Sequence, residues 1–161
     1  MITGVYGSNI EAYLTLEEKR IDTAKAIQKI QYLFKFTNDM TKTVKYCYAK
    51  TVTTTTNWND RAVICTFLHN TTDNLFTTRI NFKPYGFWKY EVYEVSWIGE
   101  VTLAGSTAPA TETSVLEALD ANGVVQGKVE EGKLYIQETA GSEQVRYTEH
   151  TETTTNYIYT N

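Results

Sequence analysis

The residues of this chain whose chemistry could serve catalysis are two histidines, two cysteines and two close pairs of glutamates, and their spacing argues against that use. A metal site needs three or four His, Cys or carboxylate ligands converging on one point. His69 and His150 stand far apart, and neither has a second ligand type at a recognised spacing, so both read as structural or solvent-facing. Glu91 and Glu94 are three residues apart, and on an extended strand an odd spacing sends two side chains to opposite faces, which makes a poor acid-base pair. Glu149 and Glu152, on either side of His150, read as a solvated strand edge or turn. Cys47 and Cys65 both sit inside apolar strand patterns, where buried free thiols are expected rather than a disulfide or an activated nucleophile. GxSxG, P-loop and GxGxxG motifs are absent. The expectation is a protein that is not an enzyme and uses no cofactor and no metal.

The elements that would position any site are strands. In NFKPYGFWKYEVYEV, Asn81 to Val95, Pro84 and Gly86 punctuate a turn and a strand begins at Phe87. Trp88, Tyr90 and Val92 share one side, and Phe87, Lys89, Glu91 and Tyr93 the other, the period of two that a half-buried strand requires. The same alternation places Ile10, Ala12, Leu14 and Leu16 on one face of an earlier strand, and Ile30, Tyr32, Phe34 and Phe36 on one face of another. The break TNDMT followed by Val44, Tyr46 and Tyr48 closes residues 29–49 into a hairpin. Strands are also expected at Ala62 to Leu68, at Leu75 to Phe82, from Leu134 and Ile136 onward, and at Val145 to Thr148. Asn122-Gly123 and Glu131-Gly132 supply turns. Trp97, Val101 and Leu103 suggest a continuation or a further strand beyond Gly99.

Residues 1–8 read as an unpatterned N-terminal arm and 9–161 as one domain. EEKRIDTAKAI can form a short helical turn, because Thr15 and Glu18 stand like a capping box, or a surface loop. Val115 to Leu119 fits either a helical turn or a strand. AGSTAPATETS, at about 104–114, is a surface loop rich in small and hydroxyl residues. The arm and this loop are expected to order on contact with a partner.

With 161 residues the chain can bury about 70% of the surface its unfolded form exposes, so no disulfide or metal is required for a core. Twelve Tyr, six Phe, three Trp and 27 Thr favour pleated surfaces. Short strands separated by turn signals predict an all-β fold, a single antiparallel β-sandwich of immunoglobulin-like or jelly-roll-like type with at most one short helix. A net charge of -4 with no basic run argues against nucleic acid. No stretch approaches the roughly 20 apolar residues of a membrane helix, and MITGVYGSNI lacks the regions of a signal peptide, so a cytoplasmic site of synthesis is expected.

The aromatic surplus carries the functional question. If Trp88, Tyr90 and Val92 face inward, Phe87 and Tyr93 face out, and either Tyr32 or Leu33 is left exposed unless something covers the second face. A covering loop, burial against another subunit and sugar stacking would each account for these rings. The candidate contact residues are therefore Trp58, Tyr85, Phe87, Tyr93 and Pro109. In a carbohydrate-binding module Trp58, Tyr85 or Phe87 would form the stacking platform.

YLFKFTND at Tyr32 to Asp39, Asp60-Arg61 before an apolar strand, GFWKYEVYE at Gly86 to Glu94, GKVEEGKLYI at Gly127 to Ile136 and the terminal NYIY together resemble small structural proteins of tailed-bacteriophage virions. The resemblance runs over about residues 9–160. The long EEKRIDTAKAIQ connection and the AGSTAPATETS insertion depart from the family's pattern. The resemblance implies a compact β-sandwich, made in the host bacterial cytoplasm and docked in many copies on a capsid or at a neck or tail junction. Its partners would be major capsid, portal, neck or tail subunits and further copies of itself, with no nucleic acid or membrane contact.

Overall fold

The computed structural model describes residues 1–51 and 62–139. Their strands are β1 (Ile2–Val5), β2 (Ile10–Leu14), β3 (Ile30–Asn38), β4 (Val44–Tyr48), β5 (Lys50–Thr51), β6 (Val63–His69), β7 (Arg79–Ile80), β8 (Gly86–Ser96) and β9 (Val124–Gln137). One sheet has the order β1-β9-β8-β3-β4; β2, β6 and β5 form a second, with β7 set against β6. The all-β expectation holds. Both sheets are mixed rather than purely antiparallel, because β1 runs parallel to β9 and β7 parallel to β6. Nor are all the strands short: β8 has 11 residues and β9 has 14.

The alternation read from the sequence selects the inward faces. Ile10, Ala12 and Leu14 of β2, Tyr32, Phe34 and Phe36 of β3, and Trp88, Tyr90 and Val92 of β8 are all buried in one core with Cys65 and Phe67 of β6. The two sheets meet there through edge-to-face rings, with Phe67 centred 4.8 Å from Phe34 and 5.3 Å from Phe36, and Phe36 5.0 Å from Phe82. Such pairs add about 0.5–1.5 kcal/mol beyond their burial. The 29–49 hairpin forms as expected. Asn38 closes it, its Oδ1 accepting from the backbone N–H of Met40 at 3.0 Å and of Thr41 at 2.9 Å.

Part of the outer face of the five-stranded sheet, around Leu33, Tyr48 and Val95, is covered as well. Leu33, Tyr48, Val95 and Trp97 are fully buried in a second core with Ala108, and Tyr93, Phe76, Val101 and Leu103 pack against it. The cover is residues 97–123, a long connection without strands of its own. Tyr32 and Leu33 are therefore both buried, on opposite faces of β3.

Several expectations are corrected. Residues 2–5, expected as an arm, form β1 against β9, where β-branched Ile2, Thr3 and Val5 suit an extended backbone. Gly4 permits the close crossing of β1 over β2, since a Cβ there would lie 2.5 Å from Ile10 Cδ1. Leu75 to Phe82 is not a strand over its length. Asn74 caps a 3₁₀ turn at Leu75–Thr77 by accepting from the N–H groups of Phe76 and Thr77, and Thr78 is left-handed at φ 61°, leaving only Arg79–Ile80 extended. Glu131-Gly132 does not turn: β9 runs through it, and the glycine is there because a Cβ would sit 2.6 Å from the hydroxyl of Tyr90 on β8. EEKRIDTAKAI is a loop with 3₁₀ turns at Glu17–Lys19 and Ile27–Lys29, without the Thr15–Glu18 capping box. Val115 to Leu119 is irregular, neither helix nor strand. Trp58, Asp60-Arg61, the Val145–Thr148 strand, Glu149, His150, Glu152 and NYIY lie outside the described residues.

Candidate functional site

A buried polar cluster lies at the C-terminal end of β8. Glu94 shares the inward parity of Trp88, Tyr90 and Val92 and is fully buried. Its carboxylate accepts from two consecutive backbone N–H groups of the β2–β3 connection, Ile21 to Oε2 at 2.8 Å and Asp22 to Oε1 at 2.8 Å. A buried carboxylate is tolerable only when hydrogen-bonded, and here that requirement clamps a loop. Asp22 in turn accepts from Ser96 Oγ at 3.1 Å, and Gln126 Nε2 of β9 donates to the same hydroxyl at 2.9 Å. Arg20 holds the loop's shape, Nη2 donating to the Asp22 carbonyl at 3.0 Å and to the Lys25 carbonyl at 2.5 Å. Tyr32 faces this cluster from β3. Burial first, and the Glu94 charge second, push its phenol well above the ordinary range.

Two register shifts between β8 and β9, at Val92/Tyr93 and Glu94/Val95, make the cluster possible. Each inserts an extra β9 residue opposite β8, which bends the strand and re-aims side chains. Gln126 is one of the inserted residues and points to Ser96. Gly127 takes φ 150° beside it, with Ile21 Cδ1 2.9 Å from where its Cβ would be.

Beyond the cluster opens a cavity of about 250 Å³, walled by Asp22, Lys25, Ser96, Asp120, Asn122 and Gln126 on the polar side and Ile98, Leu119 and Val124 on the apolar side. A second cavity of about 240 Å³ adjoins it across Val124 and is bordered by Glu112, Val115, Leu116 and Val125. The apolar side chains here are conspicuously open: Val115 is 94% exposed, Ile98 62%, Val124 55% and Leu119 54%. Their backbone is nonetheless tied down. Gly99 N–H donates to the Asp120 carbonyl at 2.7 Å, Lys29 Nζ to the Gly99 carbonyl at 2.5 Å, and Asn122 Nδ2 to the Glu117 carbonyl at 2.9 Å.

The residues expected to make contacts do not converge. Trp58 lies outside the described residues. Pro109, expected on an exposed loop, is buried, and its carbonyl accepts from Tyr48 OH at 2.8 Å. The loop at 104–114 is thus held by the sheet itself rather than left for a partner to order. Glu112 strengthens the attachment, accepting from Lys35 at 2.5 Å and from Tyr46 OH at 2.6 Å. Burial pushes the Glu112 carboxyl up, but the hydrogen bonds from Lys35 and Tyr46 outweigh it and leave it below the usual carboxylate range. Tyr93 is half-buried under this same loop. Tyr85 stands at another corner, edge-on to Tyr6 at 4.9 Å with Lys83 Nζ 5.9 Å from its ring. Among the described candidates Phe87 answers the expectation of an open ring: it is 50% exposed and lies 4.6 Å from Tyr135.

Cys47 and Cys65 are buried free thiols, as read from the sequence, and burial pushes both up to about 12. His69 stacks edge-on against Tyr6 at 4.7 Å. Among the described residues no group of three His, Cys, Asp or Glu side chains is placed to hold a metal ion, and no helix is long and apolar enough to cross a membrane. Sequence reasoning passed over Glu94 except for its spacing from Glu91, although its inward parity was itself a signal that a charge lies in the core. It missed the apolar end patch because Ile98, Leu119 and Val124 are far apart in the chain. No protein family, curated protein or solved structure matches this chain.

Proposed function

We propose that the chain is a β-sandwich that serves as a non-enzymatic structural or accessory subunit of a tailed-phage virion, docking in many copies on the capsid or at the neck or tail junction. The observation that carries this reading is the apolar end patch of Ile98, Val115, Leu119 and Val124, fixed on a well-braced loop and left open to solvent. Contiguous exposed apolar surface on a folded domain commonly marks a protein contact. The polar groups beside it support the same reading, because the Glu94 clamp and the Lys35–Glu112 pair satisfy one another and act as braces. The resemblance of Tyr32–Asp39, Gly86–Glu94 and Gly127–Ile136 to small virion proteins supplies the biological setting.

The decisive experiment is the composition of purified particles of the phage encoding this chain. Stoichiometric presence by gel densitometry and mass spectrometry is expected; absence from intact particles would overturn the proposal. One observation favours a second reading, a carbohydrate-binding module: Phe87 stands half exposed on the sheet surface beside the partly buried ring of Tyr135. Titration with a panel of bacterial surface glycans should then give binding that Phe87→Ala abolishes. No heat and no binding across the panel would remove it.

A further inference from the structure

We infer that the apolar end patch docks a second copy of this chain across a two-fold axis, with Lys25 of one copy paired to Asp120 of the other. The inference rests on the assembly reading above and names its surface and partner. Two-fold contacts use the same patch on both subunits, so the patch must be complementary to itself. Its centre is apolar, formed by Ile98, Leu119 and Val124, which meets that requirement without further conditions. Its flanks bear one cation, Lys25, and two carboxylates, Asp22 and Asp120, which wall the same cavity; Asp22 is already held by Ser96 Oγ at 3.1 Å, which leaves Lys25 and Asp120 as the pair open to a partner. Neither Lys25 nor Asp120 enters an ion pair among the described residues, and of the other lysines without one there, Lys29 is held by the Gly99 carbonyl and Lys83 lies over the Tyr6 ring, so Lys25 is set apart by its place at the rim of the apolar patch. An ammonium and a carboxylate left unmatched at the rim of one apolar patch are the charge pattern that a two-fold copy satisfies twice over. A surface of one sign would instead call for an oppositely charged partner.

Sedimentation velocity on the full chain, from micromolar concentration upward, tests the inference. A reversible monomer–dimer equilibrium is expected. Leu119→Glu should weaken it at least about tenfold by placing charge in the apolar centre. Val115→Glu, at a position too exposed to affect folding, should weaken it too. Lys25→Glu and Asp120→Lys should each weaken association about fivefold, and the two together should restore it. A wild-type chain that stays monomeric throughout would overturn the inference, as would a charge-reversed pair no better than its single changes. A monomer that is still found stoichiometrically in purified particles would sink this contact and leave the virion reading standing. A dimer absent from particles would do the reverse.

Discussion

The Glu94 clamp can be tested by replacing one oxygen. Glu94→Gln keeps the side chain's length and shape, but the native geometry needs two acceptors, one for each of the N–H groups of Ile21 and Asp22. Glutamine offers a single carbonyl oxygen, and its NH₂ group would face a donor. A hydrogen bond to a charged group contributes about 1.5–3 kcal/mol, against about 1 kcal/mol for a neutral one. One bond is therefore weakened and the other lost, with a backbone donor left unpaired. Relief from burying a charge opposes this loss, since removing a buried carboxylate recovers part of its desolvation. Because the loop can lift until the freed N–H reaches water, the orphaned donor need not bear its full penalty. A net loss of about 2 kcal/mol follows, which for a chain of this size lowers the Tm by about 4–8 °C. Urea unfolding gives the free energy, and hydrogen exchange of the Ile21 and Asp22 amides localises it. In the native chain both amides should be protected, and in the variant at least one should exchange rapidly while the β3 and β8 amides stay slow. Unfolding within about 0.5 kcal/mol of the native chain, with both amides still protected, would refute the claim that the carboxylate holds the loop.

Three further outcomes follow from the packing. The Lys35–Glu112 link should make the loop over the second core sensitive to acid: the Glu112 carboxyl is lowered in the fold, so its contribution is present above the ordinary carboxylate range and lost as pH falls through the folded value. Lys35 is raised chiefly by its hydrogen bond to Glu112, so its share persists below the ordinary lysine range and fades only as pH climbs through the raised value; Glu112→Gln should flatten the acid limb of a stability-against-pH curve followed by tryptophan fluorescence. Cys47 and Cys65, held near 12 by burial, should be silent to a thiol reagent at pH 8 and react only upon unfolding, which absorbance at the released thiolate would follow. Gly123→Ala would place a Cβ 2.5 Å from Trp97 Cζ2, and since that ring is fully buried a loss of about 1–3 kcal/mol is expected in thermal unfolding.

The clearest reading from sequence was the inner core, because period-two alternation is local: once Trp88, Tyr90 and Val92 share a side, one face of β8 is settled whatever lies around it. The harder elements were those whose residues serve something distant. Gly132 has the composition of a turn, yet its lack of a side chain answers to Tyr90 across the ladder. Pro109 looked like loop punctuation, whereas its carbonyl answers to the Tyr48 hydroxyl. Ile2 to Val5 lacks a clear polar alternation, and only the free edge of β9 makes it a strand. The candidate site was less legible still, since it joins the β2–β3 connection, the end of β8, two bulges of β9 and the loop before it.

By itself, then, the sequence determined that this is a β protein, which residues face its main core, and that its two thiols are buried. Those properties depend on the spacing of side chains along single strands and on their affinity for water. The tertiary structure alone decided that part of the second face of the large sheet is covered from within, that Glu94 clamps a loop, and that Ile98, Leu119 and Val124 come together uncovered. Those outcomes depend on which distant segments meet, and a meeting of that kind is fixed by the sum of many contacts across the fold, not by any local pattern.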